Sequence, residues 1–239
     1  MLFDPPLIPA RLIRRYKRFL ADVILENGDT ITVHCPNTGS MLGCLGENLP
    51  VWLSVNPNPA RKYRHTWELV EVRPGVLVGI HTGRTNRLVE EALRAGRLPG
   101  IAADAPLRRE VKSGQSRMDL WVDDERAGCF IEVKNVSAAV DDTGVAFFPD
   151  SVSLRGSRHL RELMAVVDAG QQAMLCFCVQ RGDVTEVRPA DAIDSRYGRT
   201  LRAAIAHGVE VVALGATPTP RGIHLERRLP VVCPALTSP

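Results

Sequence analysis

The sequence predicts a two-domain protein in which an all-β domain is followed by an α/β domain. Short strand-like runs separated by turn residues fill the first third of the chain, and helical and strand-like segments alternate after it. The length of 239 residues suits one large domain or two small ones. We therefore expect an all-β domain over residues 1–81 and an α/β domain over residues 82–239.

Five strand-like runs make up the predicted N-terminal domain. They lie at residues 19–25, 30–34, 51–55, 66–72 and 76–80, and Asn27-Gly28 between the first two is a typical hairpin turn. Five short strands at this spacing fit a small closed barrel, for which the OB-fold is the best-known arrangement. The same pattern also fits a generic β-domain that packs against the rest of the chain.

The predicted C-terminal domain has the order helix, three strands, helix, strand. Its elements are a helix from an N-cap at Thr85 or Asn86 to Gly96, strands at 107–112, 118–122 and 129–136, a helix from about Ser157 to Gly170, and a buried strand at 173–179. A further helix at 200–206 and a strand at 209–214 extend the sheet. The proline-rich tail beyond Gly215 is expected to be irregular.

The composition places only broad limits on partners and location. The chain is 45% hydrophobic and 24% charged with a formal net charge of +3, which is typical of a globular protein and mildly favourable to anionic partners. Six cysteines without a CxxC pair argue against a structural zinc site. The sequence has no signal-peptide pattern and no apolar run of about 18 residues. We therefore expect a cytoplasmic protein that does not enter a membrane.

Two acids and a lysine form the strongest candidate site. Side chains alternate along a strand, so Glu132 and Lys134 share one face. If the chain turns between Glu125 and Arg126, Asp119 lies opposite Glu132, within about 5.5 Å. Carboxylates that close repel unless a cation lies between them, and a hard divalent ion suits their oxygen ligands. We predict that the acids bind Mg²⁺ or Mn²⁺ and that the lysine assists a water attacking a phosphodiester.

The helix before these strands offers one more metal ligand. Glu90 and Glu91 lie in its middle, and one of them, with Glu90 slightly favoured, is expected to face the sheet and join Asp119 and Glu132. A solvated surface glutamate is the alternative for either residue.

These residues resemble the signature of the PD-(D/E)XK nuclease superfamily. The signature here is Asp119 followed by Glu132-Val133-Lys134 on the predicted core of helix, three strands, helix and strand, with Met118 in place of the proline. The resemblance implies a restriction-endonuclease-like α/β domain and metal-dependent hydrolysis of nucleic acid. An ordinary surface ladder of ion pairs is the alternative.

The chain also resembles the sugar fermentation stimulation protein A family over nearly its whole length. The matching segments include residues 16–19, 36–41, 85–88, 116–119, 132–135 and 148–150. The resemblance implies an N-terminal OB-fold, a C-terminal nuclease-like domain, DNA binding and a link to the regulation of maltose and other sugar metabolism. Ser40 stands where the family commonly has an arginine, so one potential phosphate contact is missing.

Basic residues are the candidate contacts to nucleic acid. They are Arg14, Arg15, Lys17 and Arg18 in the N-terminal domain, and Arg117, Arg155 and His159 in the C-terminal domain. Arginine suits bidentate phosphate contacts, and the helix start that carries the last two residues favours phosphate. A salt bridge to Asp119 is an equal alternative for Arg117, and a general base is a weaker one for His159.

Three functions fit the sequence. The first is a metal-dependent nuclease that acts on DNA, or else on RNA. The second is a non-catalytic, sequence-tolerant DNA-binding protein with a regulatory role in sugar metabolism, and the third is a phosphate-ligand binding module. No residue pattern identifies an oligomeric interface.

Overall fold

A computed structural model describes residues 1–114, 116–123, 128–140 and 142–235. Within these ranges an N-terminal β-barrel packs against a C-terminal α/β domain. No helix in the described part of the chain is long and apolar enough to cross a membrane.

The N-terminal domain is a closed barrel of five strands. The strands are β1 (Ile8–Tyr16), β2 (Leu20–Leu25), β3 (Thr30–His34), β4 (Pro50–Val55) and β5 (His65–Arg73), with β6 (Val76–Gly79) added along β5. A parallel contact between His34 and Thr66 joins β3 to β5 and closes the order β3-β2-β1-β4-β5. Leu12, Val23 and Trp67 fill the interior. The predicted five-stranded barrel is therefore confirmed, but the predicted strand at residues 76–80 is β6, which lies outside the five strands that close it.

The strand β1 differs from the prediction, which starts the first strand at residue 19. Ala10 and Leu12 face the barrel core, whereas Arg11 and Arg14 are exposed. A register shift at Ile13 interrupts the alternation of buried and exposed side chains. The sequence therefore lacks the regular pattern of a strand in this basic segment. Since β1 pairs with both β2 and β4, its basic residues Arg11, Arg14 and Arg15 belong to the barrel wall.

The C-terminal domain is a mixed six-stranded sheet with helices on both faces. Its elements are a 3₁₀ turn (Thr82–Arg84), α1 (Thr85–Arg94), β7 (Leu107–Ser113), β8 (Ser116–Val122), β9 (Cys129–Val136), β10 (Val145–Phe148), α2 (Leu154–Asp168), β11 (Gln172–Val179), β12 (Glu186–Pro189), α3 (Ser195–Ala206), β13 (Glu210–Ala216) and β14 (Leu225–Leu229). In the order β14-β13-β11-β9-β8-β7, the three central strands β13, β11 and β9 are parallel. One core contains α1, and the core on the other face contains α2 and α3.

The predicted order of helix, three strands, helix and strand is confirmed, but two helices start earlier than predicted. α2 begins at Leu154 instead of Ser157, because the Ser153 side chain caps its first turn. α3 begins at Ser195 instead of residue 200, after the Asp194 cap. Both caps lie in stretches that lack a strong apolar period, so the sequence pattern marks only the buried middle of each helix.

The tail beyond Gly215 is not irregular as predicted, because it includes β14. This strand is antiparallel to β13 and buries Leu225 and Leu229. The prolines and glycine before it shape the turn that returns the chain to the sheet and do not interrupt the strand. The short parallel pair of β10 and β12 is a second feature outside the prediction.

The two domains share several direct contacts. The Gly79 amide donates to the Gln180 carbonyl at 2.7 Å, and the Ser40 hydroxyl donates to the Asp150 carbonyl at 2.7 Å. The first residues of the chain also cross the predicted domain boundary, because Met1, Phe3 and Leu7 pack in the core that contains α1. The domains therefore form one contiguous surface around their junction.

Candidate active-site cleft

A cleft of about 400 Å³ brings the three predicted catalytic residues together. Its lining includes Asp119 from β8, Glu132 and Lys134 from β9, Asn86 from α1 and Arg155 from α2. The cleft thus gathers side chains from two strands and from the N-terminal turns of two helices.

The strand register is the one that the prediction requires. β8 and β9 are antiparallel with Leu120 opposite Ile131, and the ladder ends one position before Asp119 and Glu132. The predicted turn at residues 125 and 126 lies outside the described residues. Beyond the last backbone pair, the Asp119 side chain continues the contact between the two strands. Its carboxylate accepts a hydrogen bond from the Val133 amide at 2.8 Å.

Glu132 is the most deeply placed group of the cleft, with only 3% of its surface exposed. Its Oε1 atom receives hydrogen bonds from the Lys134 ammonium and from His159 Nδ1. Burial opposes ionisation of the carboxyl, but the hydrogen bond from His159 and the charge of Lys134 outweigh it, and the pKa of Glu132 is lowered. The carboxylate is thus held in its charged form.

His159 lies behind Glu132, and its ring nitrogens have distinct partners. Arg155 Nε donates to His159 Nε2 at 3.3 Å. Nε2 therefore acts as an acceptor, which assigns the proton of the neutral ring to Nδ1, where it points at Glu132. Only 3% of His159 is exposed, so its position is that of a support for Glu132 and not that of a predicted nucleic-acid contact.

Asp119 has a different electrostatic environment from Glu132. Burial and the nearby Glu132 carboxylate raise the pKa of Asp119, against the opposing effect of the Val133 amide and the Asn86 side chain. Asn86 Nδ2 donates to its Oδ1 at 2.9 Å. The two neighbouring carboxyls therefore differ, because Lys134 and His159 stabilise the charge of Glu132 while that charge disfavours ionisation of Asp119.

The donor set fits a hard divalent cation. The Oε2 atom of Glu132 is buried and has no hydrogen-bond partner among the described residues. A buried carboxylate oxygen without a partner is costly unless a ligand satisfies it. Together with Asp119 it offers the carboxylate oxygens that Mg²⁺, Mn²⁺ or Ca²⁺ prefer.

The structure places the other two predicted metal ligands away from this cleft. Glu90 pairs with Arg109 of β7, and Glu91 pairs with Arg87 at 3.0 Å and with the N-terminal amine. Within the described ranges no three His, Cys, Asp or Glu side chains gather closely enough to hold a metal. Asn86 and Glu90 are one turn apart on the same face of α1, and it is the earlier turn, with Asn86, that reaches Asp119.

The four basic residues of the N-terminal domain that are predicted to contact nucleic acid differ in their partners within the protein. Arg14 pairs with Asp22 at 2.9 Å, whereas Lys17 is exposed at the hairpin tip. Arg15 donates to the carbonyls of residues 18, 37 and 39, and Arg18 donates to the carbonyl of residue 38. Arg15 and Arg18 therefore hold the loop at residues 37–39.

The C-terminal arginines remain accessible. Arg155 is exposed and lines the cleft, with its Nε atom bound to His159. Arg117 is exposed opposite Lys112 on β7. The alternative of a salt bridge to Asp119 is not seen for Arg117 among the described contacts.

Asn86 and Asn135 are site residues that the sequence reasoning missed. Asn86 was considered only as a helix cap, yet the 3₁₀ turn supplies Arg84 as the N-cap and leaves the Asn86 amide for Asp119. Asn135 lines the cleft and accepts a hydrogen bond from Gln180 at 2.6 Å. Both asparagines lie inside segments that carry the family resemblance, which was the available signal.

Comparisons with known proteins cover nearly the whole chain. The model of the SfsA N-terminal OB domain matches residues 13–80, and the model of the sugar fermentation stimulation protein RE domain matches residues 83–222. A sugar fermentation stimulation protein homolog from Alkalilimnicola ehrlichii is 58% identical over 98% of this chain and 100% of its own length. One from Thioalkalivibrio sulfidiphilus is 58% identical over 97% of this chain and 98% of its own length.

The fold also matches a solved structure. The structure of Pyrococcus furiosus SfsA in complex with Ca²⁺ superposes with a TM-score of 0.84 and 25% sequence identity, over 97% of this chain and 98% of that chain. The predicted combination of an OB barrel and an α/β domain is confirmed. The chain belongs to the sugar fermentation stimulation protein family.

Proposed function

We propose that this protein is a divalent-cation-dependent phosphodiesterase that hydrolyses nucleic-acid strands, with DNA as the first candidate substrate and RNA as the second. The observation that carries the proposal is the Oε2 atom of Glu132, which is buried beside Asp119 in an open cleft and has no hydrogen-bond partner in the described part of the chain. A purely structural ion pair has no need of a free carboxylate oxygen at that position.

Asp119 and Glu132 are the proposed cation ligands. The pyrococcal relative was solved with Ca²⁺, an ion that takes oxygen ligands of this kind. A bound divalent cation would polarise a phosphate oxygen and neutralise developing negative charge. Repulsion between the two carboxyls, which contributes to the raised pKa of Asp119, would be relieved by such an ion.

Lys134 and Arg155 are the proposed contacts to the scissile phosphate. Attack of water on phosphorus breaks one P–O ester bond and leaves a phosphate end and a hydroxyl end. Lys134 lies at the cleft beside Glu132, where its ammonium can orient the water or donate to the oxygen that gains charge. Arg155 Nε binds His159, and its terminal nitrogens, which have no partner within the described ranges, can donate to a phosphate oxygen.

A non-catalytic DNA-binding protein with a regulatory role in sugar metabolism is the second candidate. The contacts of Lys134 and His159 favour it, because they already compensate one oxygen of Glu132 without any ion. The name shared by the relatives also refers to sugar fermentation.

Cleavage of labelled single-stranded DNA, duplex DNA and RNA tests the proposal. Wild-type protein should cut at least one of them with Mg²⁺ or Mn²⁺ and none with EDTA. Asp119→Asn and Glu132→Gln keep the size of each side chain and should slow cleavage by about 10²-fold or more.

Glu90→Gln is the matched control, because it changes a glutamate of α1 that lies outside the cleft and pairs with Arg109. It should cut at close to the wild-type rate. Strand binding without cleavage under every cation would contradict the hydrolytic proposal and favour the second candidate. Equal losses in Glu90→Gln and Glu132→Gln would contradict the assignment of ligands.

A further inference from the structure

A second cavity, of about 190 Å³, lies at the junction of the two domains beside the cleft. Its walls come from the loop at residues 37–39 of the barrel and from β10 and Asp150 of the α/β domain. It shares Thr82 and Asn135 with the cleft that holds Asp119 and Glu132. A ligand that occupies one space therefore reaches the other within a short distance.

The cavity combines an aromatic wall with free hydrogen-bonding groups. Phe147 and Phe148 line its apolar side, and the Phe148 ring also packs against Phe177 with the ring centres 5.5 Å apart. Asn37 is 3% exposed, and its Oδ1 accepts the Gly39 amide at 2.9 Å, which leaves its amide nitrogen without a partner among the described residues. Asp150 uses Oδ2 for the Ser40 hydroxyl and the Met41 amide, both at 3.0 Å, and its Oδ1 accepts no hydrogen bond from the residues that the structure describes.

This loop is held in a fixed position. Arg15 Nη2 donates to the carbonyls of Asn37 at 2.8 Å and of Gly39 at 2.9 Å. A Cβ atom at Gly39 would lie 2.7 Å from Asp150 Oδ2, so a larger residue there would displace the Asp150 side chain from its contacts with Ser40 and Met41. The cavity is consequently formed before any ligand arrives, which lowers the cost of binding.

We propose that this cavity binds one unpaired base of the nucleic-acid strand whose phosphate lies at Asp119 and Glu132. The inference rests on the proposed function and specifies its substrate class. A donor, an acceptor and an aromatic wall are what a nucleobase edge and face require. A cavity of about 150 Å³ is large enough for a benzene ring, so this one has room for a base ring.

Base pairing determines which nucleic acids can place a base in this cavity. In a duplex the base edges are paired and the faces are stacked, so a base must leave the helix to enter a cavity of this kind. Single strands and frayed or flipped positions satisfy this condition without that cost. The preferred substrate is therefore a single strand or a duplex with an unpaired base next to the scissile phosphate.

A scan with abasic nucleotides tests the inference. A fluorescent single strand of fixed length is made with one abasic position, moved stepwise along it, and its affinity is measured by anisotropy with Ca²⁺ in place of Mg²⁺. We expect one position at which the missing base weakens binding by roughly 5- to 100-fold, with small effects at the other positions.

The variant Ala138→Leu fills the cavity from its floor and should abolish the penalty at that one position. Ala102→Leu, at an exposed site outside the cavity, is the control that should keep the penalty. Asn37→Ser, which removes the free amide, should reduce the penalty and serves if Ala138→Leu does not fold.

Each outcome decides between the two proposals. Equal effects of the abasic site at every position, or a penalty unchanged in Ala138→Leu and Asn37→Ser, would overturn the base pocket. Binding with the expected pattern but no cleavage under Mg²⁺ or Mn²⁺ would support the pocket and contradict hydrolysis. Absence of strand binding altogether would overturn both.

Discussion

Removal of the His159 imidazole should weaken cation binding without unfolding the protein. His159 Nδ1 donates to Glu132 Oε1, and both residues are 3% exposed. A hydrogen bond to a charged group contributes about 1.5–3 kcal/mol, and loss of a group that orients a metal ligand typically lowers affinity about 10- to 100-fold. Because Lys134 keeps its own contact with the same oxygen, we expect about a 10-fold loss in His159→Ala.

Calorimetric titration with Mn²⁺ measures this effect directly. His159→Asn should recover most of the affinity, because an asparagine amide donates from nearly the position of Nδ1–H. His207→Ala is the control, since that histidine is on the surface and pairs with Asp168 at 2.7 Å. Urea unfolding of each variant separates a change at the site from a general loss of stability.

The reasoning would be refuted by wild-type Mn²⁺ affinity in His159→Ala. It would also be refuted if His159→Asn were as weak as His159→Ala while both variants unfolded at the same urea concentration. Either result would mean that His159 only fills space behind Glu132.

Three predictions concern stability. Asp183 is held between Arg181 and Arg73, so Asp183→Asn should lower the free energy of unfolding in urea at neutral pH by about 3 kcal/mol. Burial raises the pKa of Asp183, but the Arg181 hydrogen bonds and charge outweigh it and lower the pKa. The contribution of its carboxylate should therefore be full above about pH 4 and disappear as the pH falls through the lowered folded-state pKa. A constant difference between Asp183→Asn and wild type down to pH 2 (about two units below the ordinary value) would contradict this. Leu163→Ala should lower the free energy of unfolding by about 2–5 kcal/mol in the same assay, because the side chain is fully buried between α2 and the sheet. A loss of less than about 1 kcal/mol would contradict the tight packing of this side chain. Gly39→Ala should cost about 1–3 kcal/mol, because its Cβ would overlap Asp150, and wild-type stability would show that the loop moves freely.

The parts of the site that the sequence predicts are those fixed by local geometry. Asp119, Glu132 and Lys134 lie on adjacent antiparallel strands, so side-chain alternation and one hairpin register are enough to bring them together. The order of elements in the α/β domain is likewise visible in the apolar runs, because each buried strand carries one.

The roles that the sequence does not predict depend on the packing of distant segments. His159 reaches Glu132 from a helix 27 residues later in the chain. Asn86 and Glu90 share one face of α1, and the position of the helix along the sheet decides that Asn86 and not Glu90 meets Asp119. Neither the long separation nor the position of the helix is encoded in a local pattern. The same holds for Arg15, which looks like a phosphate contact in the sequence but binds the carbonyls of the loop at residues 37–39.

The barrel strand β1 illustrates a different limit. Its outward face carries Arg11 and Arg14, and the register shift near Ile13 breaks the period of two on which strand prediction depends. The charged residues of β1 therefore obscure, in the sequence, a strand that pairs with both β2 and β4.

The most direct test of the central claim compares wild type and Asp119→Asn on one single-stranded DNA in two measurements. Affinity is measured with Ca²⁺, and the rate of cleavage is measured with Mg²⁺. We predict cleavage by wild type, a loss of about 10²-fold or more in Asp119→Asn, and binding of the strand by both proteins. Equal cleavage by both proteins, or binding by both without any Mg²⁺-dependent cleavage by wild type, would contradict the assignment of this cleft as a hydrolytic site.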